Sequence, residues 1–164
     1  MVAIYVDECK ESAFLLVGVC VEDLDKLPLK GQRSIHFKHE SSRRKRIYVT
    51  EFLRLGFTAA VFRVKGVRGI QARGLSLKKL VAFARGNRIN QIVLELDESA
   101  REHDERLLSN SVKLIQGKRE MQWEHRQRHQ EPLLWVADAV AWCLNRGGEW
   151  ERMVRPMIVQ TFDC

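Results

Sequence analysis

The run EPLLWVADAVAWC sets an acid, Asp138, among apolar residues. On a helix, Asp138 shares its face with Leu134, Trp135, Ala141 and Trp142, while Val136, Val140 and Cys143 cover the opposite side. An ionised carboxylate held there is costly unless it is paired, hydrogen-bonded or bound to a cation. Arg126 or His125 would serve as a protein partner; a metal ion would serve equally. Glu95 poses the same problem on a strand. In QIVLELD, Ile92, Leu94 and Leu96 point one way, and Val93, Glu95 and Asp97 the other. Asp97, closer to the strand end, is also a cap for the helix that follows. Asp7 ends VAIYVD on the face of Ala3 and Tyr5, either as a turn residue or as a ligand.

If the strands of Asp7 and Glu95 lie side by side and the Asp138 helix approaches from above, the three carboxylates converge. Clustered carboxylates repel one another and call for a cation. Oxygen donors alone select hard ions such as Mg²⁺ or Mn²⁺. Two such ions, roughly 3.5–4 Å apart, activate a water and stabilise the leaving oxygen in phosphodiester cleavage. HFKHES adds Glu40 as a further ligand, and His36 as a proton-transfer group or phosphate contact. His39 stands three residues from His36, a weak spacing for zinc. Asp104, in the polar run REHDERLL, reads as a solvated charge. Cys9, Cys20, Cys143 and Cys164 form no C-x-x-C pair, which argues against a zinc ribbon or a thioredoxin-type site. The two acids before Cys9 disfavour it as a nucleophile. No Gly-x-x-x-x-Gly-Lys-Ser/Thr loop is present, which argues against nucleotide hydrolysis of the phosphate-loop kind.

Positioning these residues takes a sheet and at least one helix. MVAIYVD carries apolar residues on both faces, which predicts a strand covered on both sides. AFLLVGVCVE, after the turn DECKES, predicts its hairpin partner. SIHF, after the loop DLDKLPLKGQR, reads as a short third strand, so that the three make an antiparallel meander. SSRRKRIYVTEFLRLG then has helical spacing, a serine cap and a stop at Gly56. FTAAVFRVKG returns to strand, Ser76 caps a helix over LKKLVAFARGN, and NQIVLELD is the next strand. SAREHDERLLSNSVKLI is helix for at least its first half, and EMQWEHR a further strand. Pro132 opens the helix PLLWVADAVAWCLNR, which Gly147 and Gly148 stop. PMIVQTFDC is a last short strand. The order predicts one α/β domain over residues 1–164, a mixed sheet of an antiparallel meander plus parallel strands, flanked by helices.

The chain is 45% hydrophobic and 30% charged, as a folded protein is. No run approaches the ~18 apolar residues of a membrane helix, and no signal-peptide pattern opens the sequence; the expectation is a cytoplasmic protein. A formal charge of +7 favours a polyanionic partner. Arg43, Arg44, Lys45 and Arg46 are contiguous, and between Glu51 and Glu95 no acid interrupts a set of cations that includes Lys78 and Lys79. They form either a solvated basic face or a surface that tracks phosphates.

IYVDE, HFKHESSRRKR, IVLELDES and EPLLWVADAVAWC resemble, over nearly the whole chain, a bacterial and phage family named domain of unknown function 3800. That family has a ribonuclease H-like fold and no settled activity. The resemblance implies that Asp7, Glu95 and Asp138 correspond to the acids that bind metal in ribonuclease H-like nucleases, with Glu40 a fourth. Cys9 departs from the serine that usually follows the first Asp-Glu pair. The central strand's acid is often an Asp, and here Glu95 and Asp97 are both open to that role. The leading expectation is a Mg²⁺- or Mn²⁺-dependent nuclease acting on DNA or RNA. Asp7, Glu95 and Asp138 hold the metals, Glu40 and His36 assist, and the basic stretch positions the backbone. A second expectation is a non-catalytic module for nucleic acid or protein on the same fold. A third, by analogy, is a partner in a toxin or phage-defence pair.

Overall fold

The computed structural model describes residues 2–11, 13–21, 34–113 and 121–164. Strands β1 (Ala3–Cys9) and β2 (Phe14–Val21) pair antiparallel, with Val6 opposite Gly18. β2 pairs antiparallel with β3 (Thr58–Val64) on its other side. The chain then crosses back: β4 (Gln91–Glu95) lies parallel to β1, and β5 (Gln122–Arg126) parallel to β4. β6 (Ile158–Asp163) adds to the far edge, parallel to β3. The order β5-β4-β1-β2-β3-β6 puts β1 inside a mixed sheet, the architecture that the apolar patterning predicts.

Alternation along β1 divides two cores. Tyr5 joins Val17, Val19, Val61 and Val93 under helices α1 (Ser42–Arg54) and α4 (Leu133–Arg146). Ile4 and Val6 join Leu16, Phe62 and Ile92 under α2 (Gly69–Gly86), with Leu108 of α3 (Arg101–Lys113) in the same cluster. Both faces of the sheet are therefore covered, as the apolar runs require. α4 lies over β1 and β2, and its buried Ala137, Ala139 and Ala141 allow the close approach. α5 (Gly148–Val154) follows at once, past Gly147, whose φ of 73° turns the chain as few other residues would.

The meander forms, but its third strand is β3 and not SIHF. Residues 34–36 are irregular, and Phe37–His39 make one 3-10 turn. Ile35 and Phe37 are apolar because they fill the α4 side of the core, not because they pair. Ser76 is also no cap. α2 begins seven residues earlier, and Ser76 lies buried inside it, its hydroxyl donating to the carbonyls of Ala72 and Arg73. Gly74, inside this helix, has a packing reason: a Cβ there would sit 3.2 Å from His103 Cε1 of α3. The Ser41 cap holds, its Oγ accepting from the Arg44 N–H at 3.3 Å. The loop DLDKLPLKGQR and the end of the helix predicted to close on SVKLI lie outside the described residues.

Candidate active site

Val6 pairs with Leu94 across the parallel step from β1 to β4, so Asp7 and Glu95 come next, side by side, at the C-terminal ends of adjoining strands. By alternation both follow residues of the α4 side, Tyr5 and Val93. Asp138, in the second turn of α4, closes the group from above.

The three acids meet around a guanidinium. Arg128, in the turn between β5 and α4, places Nη1 2.7 Å from Asp138 Oδ2 and Nη2 2.8 Å from Glu95 Oε2. Its Nε lies 3.0 Å from Glu95 Oε1, and Nη2 reaches Asp7 Oδ2 at 3.4 Å. Trp135 Nε1 donates to the Arg128 carbonyl at 2.8 Å, which ties this turn to α4. Backbone N–H groups complete the set: Glu8 donates to Asp7 Oδ1 at 2.7 Å and Phe37 to Asp138 Oδ2 at 3.0 Å. His36 Nδ1 stands 3.0 Å from Arg128 Nη1. A guanidinium only donates, so Nδ1 accepts and is unprotonated.

Burial, then the nearby Glu95 and Asp138, push the Asp7 carboxyl well above its usual range. Burial also raises Asp138, although Arg128, the Phe37 N–H and His36 oppose the shift. Burial and the Arg128 charge lower His36, which keeps the ring neutral near pH 7. The residues open into a cleft of about 560 Å³, with Lys10, Lys38 and His39 on its walls.

The cleft floor continues across β1 to a second arginine. Arg73 of α2 binds Asp104 of α3 through Nε and Nη2, both at 2.7 Å, and also contacts Glu8. His125 Nε2 lies 3.1 Å from Asp104 Oδ2. Asp104 is wholly buried, so its reading as a solvated charge is wrong. It stands one helical turn before the buried Leu108, on the stripe of α3 that faces inward. Burial alone would raise its carboxyl, but the hydrogen bonds from Arg73 and His125 outweigh it and leave the group below its usual range.

No protein-family model matches the sequence, and no curated protein does. A solved structure does match: that of the PCNA:RNase HII complex from Archaeoglobus fulgidus. The likeness has a TM-score of 0.59 and 17% sequence identity, and it covers 95% of this chain and 78% of the other. The fold is ribonuclease H-like.

On this ribonuclease H-like sheet, Asp7, Glu95, Asp138 and His36 come together at the C-terminal ends of β1 and β4. Glu40 stays apart: its carboxylate pairs with Arg44 at 3.1 Å, one helical turn on. Asp97 accepts from the Ser99 N–H and hydroxyl and from Lys10, which together bring it down to about 2; it orders the turn before α3. The basic residues separate. Lys45 is buried, its ammonium 4.1 Å from the Trp142 ring centroid. Arg46 pairs with Glu149 at 2.7 Å over Trp150, and Arg43 is exposed. Lys78 and Lys79 are exposed on α2, on the opposite side of the sheet from α1, and Lys79 stands above Phe162 of β6.

Arg128 is the residue that sequence reasoning missed. It lies outside both basic clusters and two residues beyond Arg126, which pairs with Glu124 instead, while His125 turns to the other face. The available signal was the buried acid of α4, which asks for a cation from the segment that leads into its helix. As they stand, no three acid, histidine or cysteine side chains among the described residues are arranged to hold a metal ion. The Arg128 guanidinium fills the space that the three acids share.

Proposed function

We propose that the cleft is the active site of a divalent-metal-dependent nuclease that hydrolyses phosphodiesters of DNA or RNA. The observation that carries this reading is the convergence of three acids from β1, β4 and α4 on one point, with a single guanidinium between them. Fully ionised, they carry two more negative charges than Arg128 supplies, and burial already pushes Asp7 upward. This excess of negative charge on carboxylate oxygens, with the His36 ring nitrogen at its edge, fits a hard divalent cation in charge and chemistry. Asp7, Glu95 and Asp138 would hold Mg²⁺ or Mn²⁺, which supplies water activation and charge neutralisation at the phosphodiester. The resemblance to the domain-of-unknown-function 3800 family assigns metal binding to the same three residues.

The chain's own side chains do the remaining work. Lys10 and Lys38 on the cleft wall, paired with Asp97 at 3.0 Å and with Glu11 at 3.1 Å respectively but both exposed, are the cations placed to exchange those partners for a polyanion. Neutral His36 at the rim, with Nδ1 an acceptor beside the three acids, suits general base catalysis. Glu40, held by Arg44, has no part in the reading. Incubation with Mn²⁺ and single-stranded, duplex, hybrid and branched substrates is the test. The wild-type protein is expected to cleave at least one of them, and Asp7→Asn to lose at least 100-fold in rate. Equal cleavage by both rejects the assignment.

A second reading has its own observation: Arg128 engages all three acids, so the site also has the form of a structural ion-pair network. In that case the protein is a nucleic-acid-binding module without turnover. Metal-independent binding with a steep salt dependence and no cleavage would favour it.

A further inference from the structure

The guanidinium of Arg128 stands where the carboxylates would share a metal ion. A dication held there needs the same carboxylate oxygens that the guanidinium now hydrogen-bonds, so the two compete for one position in the cluster. Arg128 is also built to leave. Its carbonyl is anchored by Trp135 Nε1, so the turn stays in place, while its long unbranched side chain lines the cleft. The side chain is 18% exposed there. We infer that Arg128 is an exchangeable counter-ion: it holds the cation position of Asp7, Glu95 and Asp138 until a divalent metal displaces it, and then turns into the cleft to bind a phosphate of the nucleic acid.

The inference rests on the metal-dependent reading above and adds to it a residue with two anionic partners. Its fork of donors, now spent on Glu95 and Asp138, matches a phosphodiester equally well. Metal and polyanion are then coupled through one side chain. The metal frees the guanidinium for the phosphate, and the phosphate stops it from returning to the carboxylates. By linkage, each tightens the other by the same factor. Binding of a metal alone is weakened by the need to break the Arg128 contacts, so the isolated protein has a weaker metal site than its three carboxylates would otherwise make.

The experiment is calorimetric titration of Mn²⁺ into wild type, Arg128→Gln and Arg128→Ala at pH 8, each with and without a non-cleavable phosphorothioate oligonucleotide. Circular dichroism checks that each variant is folded. Arg128→Gln keeps one amide donor without the charge, and it serves if the alanine variant does not fold. Without oligonucleotide, Arg128→Gln is expected to bind Mn²⁺ at least tenfold tighter than wild type. The oligonucleotide is expected to tighten Mn²⁺ at least fivefold in wild type, and that gain is expected to disappear in the variant. If wild type binds Mn²⁺ and the variants bind it no tighter, the exchange is overturned while the metal-dependent reading stands. If the gain from oligonucleotide persists in Arg128→Gln, the phosphate role is overturned. If wild type and variants all fail to bind Mn²⁺, the metal-dependent reading falls and takes the inference with it.

Discussion

Asp7 sits between Glu95 and Asp138 on the α4 side of the sheet, with Arg128 and His36 the positively charged or titratable groups facing the same cluster. Its carboxyl is raised because ionising it means placing a third negative charge in a buried group. The folded protein therefore holds the Asp7 proton more tightly than the unfolded chain does. The stability that this contributes is complete below about pH 4, the pKa of an ordinary Asp, and is lost as pH rises through the folded value. Asp7→Asn removes that loss, and the new amide has a donor for Glu95. We expect the variant to be more stable than wild type by about 1 kcal/mol at pH 8, with the difference narrowing toward pH 4. Urea unfolding at the two pH values measures it. A variant less stable than wild type at pH 8 would mean that Arg128 fully compensates the charge. Loss of cleavage together with a gain in stability is the signature of a functional acid and not of a structural one.

At the scale of elements, α3 carries two kinds of ion pair on its two sides. Asp104 is buried against Arg73 and His125, whereas Glu102 and Arg106 pair at 2.9 Å in the open. Truncating one member of a buried pair strands the other charge, so Asp104→Ala is expected to lower stability by about 3–5 kcal/mol. Arg106→Ala on the same helix is expected to leave the unfolding midpoint unchanged. Thermal or urea unfolding of both variants decides it, and comparable losses would refute the distinction. The contrast also explains what the sequence made legible. Period-two and helical apolar spacing placed β1, β2, β3, β4 and α4, because each buries a continuous set of side chains. The same spacing, continued past its apolar residues, located Asp7, Glu95 and Asp138 on facing surfaces. SIHF and Ser76 went astray because Phe37 is apolar for packing and Ser76 satisfies its hydroxyl within a turn of helix, neither of which local spacing records. Arg128 stayed hidden because a side chain that leaves an irregular turn has no periodicity to give its direction.

Across the whole molecule, the sheet separates cations that are neighbours in composition. The sequence joins Arg43–Arg46 to Lys78 and Lys79 as one basic stretch, but the fold puts α1 and α2 on opposite faces. Inward demands take further members out of it: Lys45 lies under Trp142, and Arg73 is spent on Asp104 and Glu8. A net charge of +7 therefore overstates what a polyanion meets at the cleft. Lys38 lines the cleft, its pair with Glu11 at 3.1 Å open to solvent and unlike the buried pairs of Arg73, and Arg43 begins the exposed side of α1 a few residues later. Lys78 and Lys79 lie across the sheet from both. Each phosphate contact that is lost reduces the salt slope of binding by about one and weakens affinity without regard to sequence. We expect a Lys38→Glu, Arg43→Glu double variant to bind an oligonucleotide at least tenfold more weakly than wild type in 100 mM salt, with a shallower salt dependence. A Lys78→Glu, Lys79→Glu double variant makes the same change in net charge and is expected to stay within threefold of wild type. Fluorescence anisotropy at several salt concentrations distinguishes them. Equal losses would mean that the polyanion responds to the charge of the molecule as a whole, and the cleft would then have no claim to be the place where the strand lies.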